Sequence, residues 1–332
     1  MLALSGGVGG AKLALGLSRI LPPDRLTVIA NTGDDFEHLG LHIAPDLDTL
    51  MYTLAGLDNP DTGWGRRDET WHCMAALETL GGETWFRLGD ADLATHLERT
   101  RRLRGGASLT AVTARLCERL GLSARLAPMS DDPVRTVVHT TEGALPFQEY
   151  FVHRRCVPRV IGFAYAGADA ARASPILTAA LADPDLRAVV LCPSNPFLSI
   201  DPILALPGIR TGLAACRAPV VAVSPLCGGR AFKGPTAKIL RELGLPANAA
   251  TIAQHYEGLL DVLVLDEADA READDLGVPG ALAPTRMVTL ADRESLAQAV
   301  LSIADAQRRT AQTAAPRSAR VYATDVTGEH DP

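Results

Sequence analysis

The first candidate for chemistry is a glycine-rich segment, residues 5–12, which joins a short apolar run to a helical pattern. Successive glycines let backbone N–H groups point into one concavity, and the N-terminus of the following helix adds partial positive charge. The segment therefore suits a phosphate or diphosphate. The alternative is a tight turn whose glycines only permit close packing of the helix. Neither the Walker nor the dinucleotide fingerprint is complete, because Lys12 stands where the latter needs glycine.

Two pairs of aspartates follow the second apolar run. Asp34 and Asp35 lie in the turn after it, and Asp46 and Asp48 lie in a segment that begins at Pro45. In open α/β sheets ligands bind beyond the carboxyl ends of the strands, so the first pair is within reach of the glycine segment. Mg²⁺ takes one or two protein carboxylates together with water and substrate phosphates, so one aspartate from each pair suffices. The alternative is that Asp46 or Asp48 caps a helix.

Other polar groups carry weaker signals. Asp90 and Asp92 precede His96, but a lone histidine is more often a satisfied structural residue than a catalyst. In Ser-Asn-Pro at 194–196, the asparagine amide can both donate to and accept from a purine base, although a turn explains the same residues without a ligand. With 5% aromatic residues, the sequence shows no aromatic stripe.

Short Val/Leu/Ile-rich runs recur along the chain, and each ends at a polar or Gly/Pro turn before a helical pattern. The runs are continuous rather than alternating, which is typical of parallel strands buried on both faces. We therefore predict an α/β fold with a doubly wound, mostly parallel, Rossmann-like sheet. The predicted strands are Leu2–Leu4, Leu26–Ala30, Ala188–Leu191, Val220–Val223 and Val262–Leu265.

The pattern changes in the middle of the chain, where helical stretches and a hairpin replace the βα units. The helical stretches are 68–80, 93–102 and 108–120, and the hairpin pairs 135–140 with 146–154. We predict a nucleotide-binding α/β core formed by residues 1–64 and 160–307, and an inserted helical and hairpin region, 65–159, that covers the site. Residues 308–332 lose periodicity, which predicts a disordered tail.

Composition excludes several classes of function. Lys and Arg number 32 against 39 Asp and Glu, a net charge of −7, so no basic excess holds a nucleic acid. The six cysteines lack metal-ligand spacing, which favours free thiols in a reducing compartment. No apolar run approaches the roughly 18 residues that span a bilayer, and residues 1–4 are too short for a signal peptide. We predict a cytoplasmic protein without nucleic-acid or membrane partners.

Short motifs occur in a characteristic order along residues 1–300. They are Ser5-Gly6-Gly7 with Gly9 and Lys12, Asn31-Thr32, Asp34-Asp35, Pro45-Asp46-Leu47-Asp48-Thr49, Leu88-Gly89-Asp90 with Asp92, Ala94-Thr95-His96, Pro128-Met129-Ser130-Asp131-Asp132-Pro133, Phe147-Gln148-Glu149, Pro193-Ser194-Asn195-Pro196, Ala222-Val223-Ser224-Pro225 and Leu260-Asp261-Val262. This ordered series resembles the 2-phospho-L-lactate transferase family, which acts in synthesis of the deazaflavin coenzyme F-420.

The resemblance implies a Mg²⁺-dependent transferase. In that family a three-carbon acid linked to guanosine diphosphate gives its phosphoryl-acid half to the terminal ribityl hydroxyl of 7,8-didemethyl-8-hydroxy-5-deazariboflavin, and GMP is released. The sequence leaves open whether the transferred group derives from 2-phospho-L-lactate, phosphoenolpyruvate or phosphoglycerate. The resemblance also implies a homodimer.

The resemblance assigns roles to individual residues. The implied nucleotide-binding residues are Ser5, Gly6, Gly7, Gly9, Gly10, Lys12, Ser194, Asn195 and Pro196. The implied metal ligands are Asp34, Asp35, Asp46 and Asp48, of which Asp35 and Asp48 are also the catalytic candidates. The implied substrate-binding residues are Asp48, Arg87, Asp90 and Asp92. Ala91 departs from the family pattern, because relatives often carry arginine there, and Arg87 is the nearest replacement.

A nonenzymatic alternative has the same fold. Nucleotide-sugar-binding regulators also begin with a glycine loop and paired aspartates, and they bind without turnover. They carry a Gly/Ser-rich run where this chain reads Phe36-Glu37-His38-Leu39, and the segment 45–49 also favours the transferase. A nicotinamide dehydrogenase is disfavoured by Lys12 at the third glycine position.

Overall fold

The computed structural model describes residues 1–231 and 233–313. Its strands are β1 (Leu2–Ser5), β2 (Thr27–Ala30), β3 (Phe36–His38), β4 (Leu41–Ile43), β5 (Arg125–Pro128), β6 (Arg135–Thr140), β7 (Gly143–Pro146), β8 (Val160–Ala166), β9 (Val189–Leu191), β10 (Val220–Val223), β11 (Leu226–Cys227), β12 (Arg230–Ala231), β13 (Val262–Leu265) and β14 (Gly280–Leu282). Its helices are α1 (Gly7–Ile20), α2 (Pro45–Ala55), α3 (His72–Thr79), α4 (Asp90–Arg104), α5 (Leu109–Arg119), α6 (Pro175–Ala182), α7 (Asp201–Leu204), α8 (Ile209–Ala215), α9 (Thr236–Glu242), α10 (Ala249–His255) and α11 (Leu290–Thr313). Two π-helical turns cover Glu149–His153 and Pro196–Ile200, and 3₁₀ turns cover Ala168–Ala170 and Glu267–Glu272.

The main sheet has seven strands in the order β14-β13-β10-β9-β1-β2-β5, and every neighbouring pair is parallel. Successive residues of a strand enter different cores: Leu2 and Leu4 of β1 join one hydrophobic cluster, and Ala3 joins the other. Helices cover both faces, so strands without polar alternation are required. The predicted doubly wound, Rossmann-like fold is confirmed.

The winding of the sheet reverses at β1. Strand β2 pairs with one edge of β1, and β9, from much later in the chain, pairs with the other. The turns that follow β1 and β9 therefore lie side by side at the carboxyl end of the sheet. This is the position at which open α/β sheets bind ligands, and it brings the glycine segment beside residues 193–195.

The inserted region differs from its predicted boundaries. Strand β5 lies within the predicted insertion, yet it forms the edge of the main sheet beside β2. Strand β8 falls within the predicted core, yet it pairs antiparallel with β6 in a small sheet of order β7-β6-β8. Short apolar strands of this kind give no sign of which sheet they join. A hairpin does form here, because β6 pairs with β7, but its second strand is Gly143–Pro146 rather than the predicted 146–154. A π-helical turn, Glu149–His153, covers most of the predicted second strand.

Helix α11 packs against α1, and Gly16 permits the contact because a Cβ atom there would lie 2.1 Å from the carbonyl oxygen of Arg293. Residues 308–313 continue this helix, contrary to the predicted start of a disordered tail, and the rest of that tail lies outside the described residues.

In the described ranges no single helix is long and apolar enough to cross a membrane. One pair of helical segments, 196–204 with 209–215, has the length and apolar composition of a membrane span, but the two segments are sharply bent relative to each other.

Candidate functional site

A cavity of about 900 Å³ is lined by the turns after β1 and β9 and by parts of the inserted region. Many predicted site residues line it together: Gly6, Gly7, Gly9, Lys12, Asp34, Asp46, Asp48, Arg87, Asp92, Ser194 and Asn195. The remaining predicted residues are outside its lining: Ser5, Gly10, Asp35, Asp90 and Pro196. The glycine segment and acidic side chains therefore share one pocket.

The turn after β1 packs directly on the turn after β9. A Cβ atom on Gly9 would lie 2.4 Å from the carbonyl oxygen of Pro193, and one on Gly10 would lie 2.6 Å from Ser194 Oγ. Ser194 Oγ also donates to the carbonyl oxygen of Gly6 at 2.7 Å and accepts from its N–H at 3.2 Å. Close packing of the two turns is therefore one reason for the glycines.

Helix α1 begins with backbone donors at the cavity. Gly7, its first residue, has φ +65°, a left-handed conformation that favours glycine. The Gly7 N–H donates to Asp46 Oδ1 at 2.6 Å. Val8 and Gly9 line the cavity in the same first turn, where N–H groups lack an intrahelical acceptor, and the N-cap residue Gly6 has no side chain to cap them. The helix start therefore offers donors and partial positive charge to an anion.

Cationic side chains line the same cavity. The Lys12 ammonium donates to the carbonyl oxygen of Met287 at 2.9 Å. Burial lowers the pKa of Lys12, and the charges of Arg293 and Lys233 lower it further. Lys233 and Arg286 also line the cavity. The sequence does not single them out, because they lie far from the glycine segment and outside any motif.

Asp34 and Asp46 are buried and held together by Asn31. The Asn31 Nδ2 donates to Asp34 Oδ1 at 3.0 Å and to Asp46 Oδ2 at 2.9 Å. Burial raises the pKa of Asp34 well above its usual value, and the charge of Asp46 raises it further. Burial also raises the pKa of Asp46 to about 6, despite the hydrogen bonds from Asn31 and Gly7. Two carboxylates in this environment attract a proton or a cation.

Asp35 does not join this pair. Its side chain is buried, and its Oδ2 lies 3.2 Å from Nε2 of His42 on β4. Burial raises the pKa of Asp35, and His42 opposes that effect. Among the residues the structure describes, no group of three or more His, Cys, Asp or Glu side chains could hold a metal ion. The predicted set of four aspartates is therefore not assembled as one cluster, and Asp34 with Asp46 is the pair that lies together.

Asp48 is paired with a buried arginine. Arg99 Nη1 donates to Asp48 Oδ2 at 3.0 Å, and Nη2 donates to the other oxygen. The same Nη1 lies 3.2 Å from His96 Nδ1, and His96 Nε2 lies 3.1 Å from Asp92 Oδ2. Tyr52 Oη donates to Asp92 Oδ1 at 2.7 Å. We call these five residues, on α2 and α4, the α2–α4 network.

Helical spacing carries the signal for this network. Tyr52 follows Asp48 at i+4 on α2, and His96 and Arg99 follow Asp92 at i+4 and i+7 on α4, so each set shares one helix face. A histidine considered alone gives no such signal. Asp48 and Asp92 each lie near the start of a helix. A search for polar residues on the same helix face as these aspartates would have found Tyr52 and Arg99.

Asp90 has a structural role at the start of α3. Its carboxylate accepts from the backbone N–H groups of His72 and Cys73, both at 3.0 Å. These bonds satisfy orphan donors of the helix, and the structure does not bring Asp90 to the cavity. Arg87 does line the cavity, with its guanidinium 4.2 Å from the centroid of the Trp71 ring.

Asn195 uses its side chain within the protein. Its Oδ1 accepts from the N–H groups of Phe197 at 3.0 Å and Leu198 at 3.1 Å, and its Nδ2 donates to Thr236 Oγ1 at 3.1 Å. Pro196 is buried in the π-helical turn that this cap begins. The turn interpretation accounts for these hydrogen bonds, whereas recognition of a purine at 194–196 stays a prediction.

Several aromatic residues line the cavity, and we call four of them the aromatic wall: Trp85, Phe86, Phe147 and Phe151. The rings of Phe147 and Phe151 stack with centroids 5.1 Å apart, and those of Trp85 and Phe86 meet edge to face at 5.7 Å. The sequence shows no aromatic stripe because the wall comes from two separate segments. Flat apolar surfaces of this kind suit a planar conjugated ring.

Comparison with known proteins gives a consistent set of relatives. The family model described as 2-phospho-L-lactate transferase CofD matches residues 1–277. A phosphoenolpyruvate transferase from Kitasatospora aureofaciens is 41% identical over 318 residues, covering 93% of this chain and 98% of the relative. Proteins of the same name are 40% identical over 317 residues in Streptomyces coelicolor (93% and 99% covered) and 43% identical over 298 residues in Mycobacterium ulcerans (83% and 90% covered).

A solved structure shares the fold. A member of the UPF0052 family from Bacillus halodurans superposes with a TM-score of 0.59 and 14% identity, covering 90% of this chain and 97% of that protein. At this identity the likeness concerns the fold alone. It agrees with the seven-stranded parallel sheet and its flanking helices.

Proposed function

Since this chain belongs to the 2-phospho-L-lactate transferase CofD family, and is therefore a transferase of phosphate-containing groups in coenzyme F-420 biosynthesis, we propose the following reaction for it. A three-carbon acid linked to guanosine diphosphate passes its phosphoryl-acid half to the terminal ribityl hydroxyl of 7,8-didemethyl-8-hydroxy-5-deazariboflavin. The hydroxyl oxygen bonds to phosphorus, the phosphoanhydride bond breaks, and GMP leaves. The product is a phosphodiester.

One observation carries this proposal: a single cavity is lined by the N-terminus of α1, by fixed carboxylates and by the aromatic wall. A nucleoside diphosphate needs backbone donors and cations. A deazaflavin needs flat apolar surface for its ring and polar partners for its ribityl chain. A volume of about 900 Å³ accommodates the two substrates together.

The donor diphosphate binds at the start of α1. The N–H groups of Val8 and Gly9 point their partial charge at it, and Lys12 and Lys233 add formal positive charge from the cavity wall. The guanosine lies beside the turn at 193–196, as the family resemblance implies. Phosphoryl transfer is catalysed mainly by positioning and charge neutralisation, so this part of the site supplies much of the rate.

We propose that Asp34 and Asp46 hold Mg²⁺ beside the diphosphate. Their hard oxygen atoms suit this ion, and burial raises the pKa of both carboxylates, which favours a cation beside them. Asp48 fits less well, because its charge is already paired with the buried Arg99 guanidinium, and Asp35 lies outside the cavity lining. Bound Mg²⁺ would neutralise charge on the phosphates during transfer.

The acceptor binds against the aromatic wall, with its ribityl chain on the α2–α4 network. Asp48 and Asp92 line the cavity and accept hydrogen bonds from ribityl hydroxyls. Asp48 orients the attacking hydroxyl toward phosphorus. In a loose transition state the attacking oxygen carries little new charge, so orientation contributes more than deprotonation.

We propose phosphoenolpyruvate as the source of the transferred acid. The relatives at 40%, 41% and 43% identity are all named phosphoenolpyruvate transferases. Arg286 lines the cavity, and its guanidinium suits the carboxylate of the acid. The enolpyruvyl group differs from the lactyl group by one double bond, which mass spectrometry of the product distinguishes.

The decisive experiment offers the purified chain the deazaflavin with the guanosine-diphosphate-linked forms of each of the three acids. We expect GMP release only when the deazaflavin and Mg²⁺ are both present, and fastest turnover with the enolpyruvyl donor. Mass spectrometry should find a phosphodiester of the deazaflavin. GMP release that ignores the deazaflavin, or no transfer from any donor, would contradict the proposal.

The nonenzymatic alternative makes the opposite prediction. A regulator would bind nucleotide sugars tightly and release no GMP. The match to the transferase family over residues 1–277 and the named transferases among the relatives favour the enzyme. Titration with a nucleotide sugar, carried out beside the GMP assay, separates the two functions.

A further inference from the structure

The α2–α4 network contains residues that the reaction above leaves without a role. We propose that His96 and Arg99 are positioning residues that act through Asp92 and Asp48 to fix two carboxylates as a recognition surface for the polyhydroxy chain of the acceptor. This inference rests on the proposed function and deepens its acceptor site. It makes Tyr52 the third anchor of the surface.

Hydrogen-bond geometry orients the ring of His96. A guanidinium donates and never accepts, so the contact of 3.2 Å from Arg99 Nη1 makes His96 Nδ1 an acceptor. The ring proton therefore lies on Nε2, which faces Asp92 Oδ2 at 3.1 Å. Nδ1 also lies 3.6 Å from Asp48 Oδ2, so the ring lies between the two carboxylates and contacts Arg99. This placement makes His96 a spacer that positions Asp48, Asp92 and Arg99 relative to one another.

Arg99 acts from behind the cavity wall. Its side chain is 2% exposed and is not part of the lining, whereas the other four members of the network are. A substrate in the cavity therefore touches Asp48 and not Arg99. The planar guanidinium holds Asp48 by two bonds and reaches His96 with the same Nη1. Lysine lacks this fork geometry.

The network presents hydrogen-bond acceptors to the cavity. Each carboxylate oxygen has more than one lone pair, so Asp48 and Asp92 keep acceptor capacity after Arg99 and Tyr52 have donated. A ribityl chain is a row of hydroxyl donors. Asp48 and Asp92 lie on different helices and are held at a fixed separation by His96 and Arg99. Their separation determines which ribityl hydroxyls they bind, and therefore which hydroxyl faces phosphorus.

Three substitutions separate the parts of the network. Arg99→Lys keeps the charge and loses the fork. His96→Asn places its amide near the Nδ1 position and keeps an acceptor for Arg99, whereas His96→Gln places its amide near Nε2 and keeps a donor for Asp92. The matched control is Arg101→Lys, on the same helix, whose guanidinium bonds to Glu98 on the exposed side.

Steady-state kinetics is the first readout. We expect Arg99→Lys and both His96 variants to raise the KM for the deazaflavin roughly tenfold or more, the loss typical of a hydrogen bond to a charged group. The KM for the nucleotide donor should stay unchanged, and Arg101→Lys should match the wild type. A change confined to the donor KM would overturn the inference.

The second readout is equilibrium binding, followed by deazaflavin fluorescence without any donor. The probes are the intact acceptor and the same ring system without its ribityl chain. We expect Arg99→Lys and His96→Gln to weaken binding of the intact acceptor and to leave binding of the bare ring unchanged. Equal loss of both probes, or no loss of either, overturns the inference. Failure of the wild type to bind or use the deazaflavin at all overturns the proposed function as well.

Discussion

Asp46, in the first turn of α2, accepts the backbone N–H of Gly7, the first residue of α1, at 2.6 Å. The acidic segment therefore touches the glycine segment, and the two motifs form one site. The contact also sets a constraint, because an anionic ligand at the start of α1 meets a buried carboxylate. A cation or a proton between them removes the repulsion.

This constraint predicts a pH-dependent response to Mg²⁺. The pKa of Asp46 in the folded chain is raised to about 6, so the folded state binds the proton more tightly than the unfolded state. The stability gained from that proton is present at low pH and is lost as the pH rises through about 6. Mg²⁺ competes with the proton, so it should raise the melting temperature more at about pH 7.5 than at about pH 5.5.

Thermal unfolding with and without MgCl₂ at the two pH values measures this effect. The matched control is Asp90→Asn, whose carboxylate caps α3 instead of lining the cavity, and it should keep the wild-type response. An equal Mg²⁺ effect at both pH values would show that Asp46 does not exchange a proton for the metal.

Removal of one charge from the buried pair should weaken the metal requirement. Asp34→Asn keeps the volume of the side chain and loses a negative ligand, so the Mg²⁺ concentration for half-maximal GMP release should rise about tenfold or more, as expected for loss of a charged ligand. The measurement is a Mg²⁺ titration of the initial rate. A titration curve identical to that of the wild type would remove Asp34 from the metal role.

Asp48→Asn should lose turnover and retain nucleotide binding. The substitution leaves the buried Arg99 without its carboxylate, which costs roughly 3 to 5 kcal/mol of folding free energy, so assays belong at low temperature. Turnover should fall about 100-fold, because the attacking hydroxyl loses its orientation. Calorimetric titration with GDP should give the wild-type affinity. A variant that transfers normally would place the orienting role elsewhere.

Two glycines of the same segment should respond differently to alanine. In Gly9→Ala the new Cβ meets the carbonyl oxygen of Pro193 at 2.4 Å, and overpacking of this kind costs roughly 1 to 3 kcal/mol. In Gly7→Ala no atom lies within 4 Å of the new Cβ, so the cost is the left-handed backbone, about 1 to 2 kcal/mol. Urea unfolding gives both values, and GDP titration should show the larger loss for Gly9→Ala. Equal GDP affinity in both variants would argue against contact between the two turns.

The aromatic wall should affect the acceptor and not the donor. Trp85→Ala removes one ring of the wall, and an aromatic pair contributes roughly 0.5 to 1.5 kcal/mol. The Kd for the deazaflavin should therefore rise about threefold to tenfold, with GDP affinity unchanged. Quenching of deazaflavin fluorescence measures the Kd for the deazaflavin, and calorimetric titration measures the affinity for GDP. Weaker GDP binding in this variant would mean that the wall supports the nucleotide.

Much of the fold is readable from the sequence because strands buried on both faces must be apolar throughout. Runs such as Val220–Val223 and Val262–Leu265 are apolar at every position, and a central strand of a parallel sheet buries all of these side chains. The limits of that reasoning are visible in β5 and β8, whose apolar patterns do not say which sheet they join. Pairing partners are set by tertiary contacts, and no local pattern encodes them.

The parts of the candidate site that consist of short, continuous motifs could be predicted from the sequence. The glycine segment and the aspartates that follow it are short motifs, and Asp34, Asp46 and Asp48 do line the cavity with the glycine segment, whereas Asp35 does not. Arg99 was missed because an arginine in a polar helix reads as solvent-exposed until its spacing from Asp92 is considered. The aromatic wall was missed because Trp85 and Phe147 belong to segments that only folding brings together.

The contact of Gly9 with the carbonyl oxygen of Pro193 is made by main chain on both sides. The shape of a main-chain surface does not depend on which side chains are present. These two turns therefore form a part of the cavity that substitutions can change little without disrupting the packing. In the proposed reaction, base preference would then rest on other side chains of the cavity lining, such as Ser224, Lys233, Thr236 and Arg286. A redesign of this scaffold for a different nucleotide should keep both turns and vary those side chains.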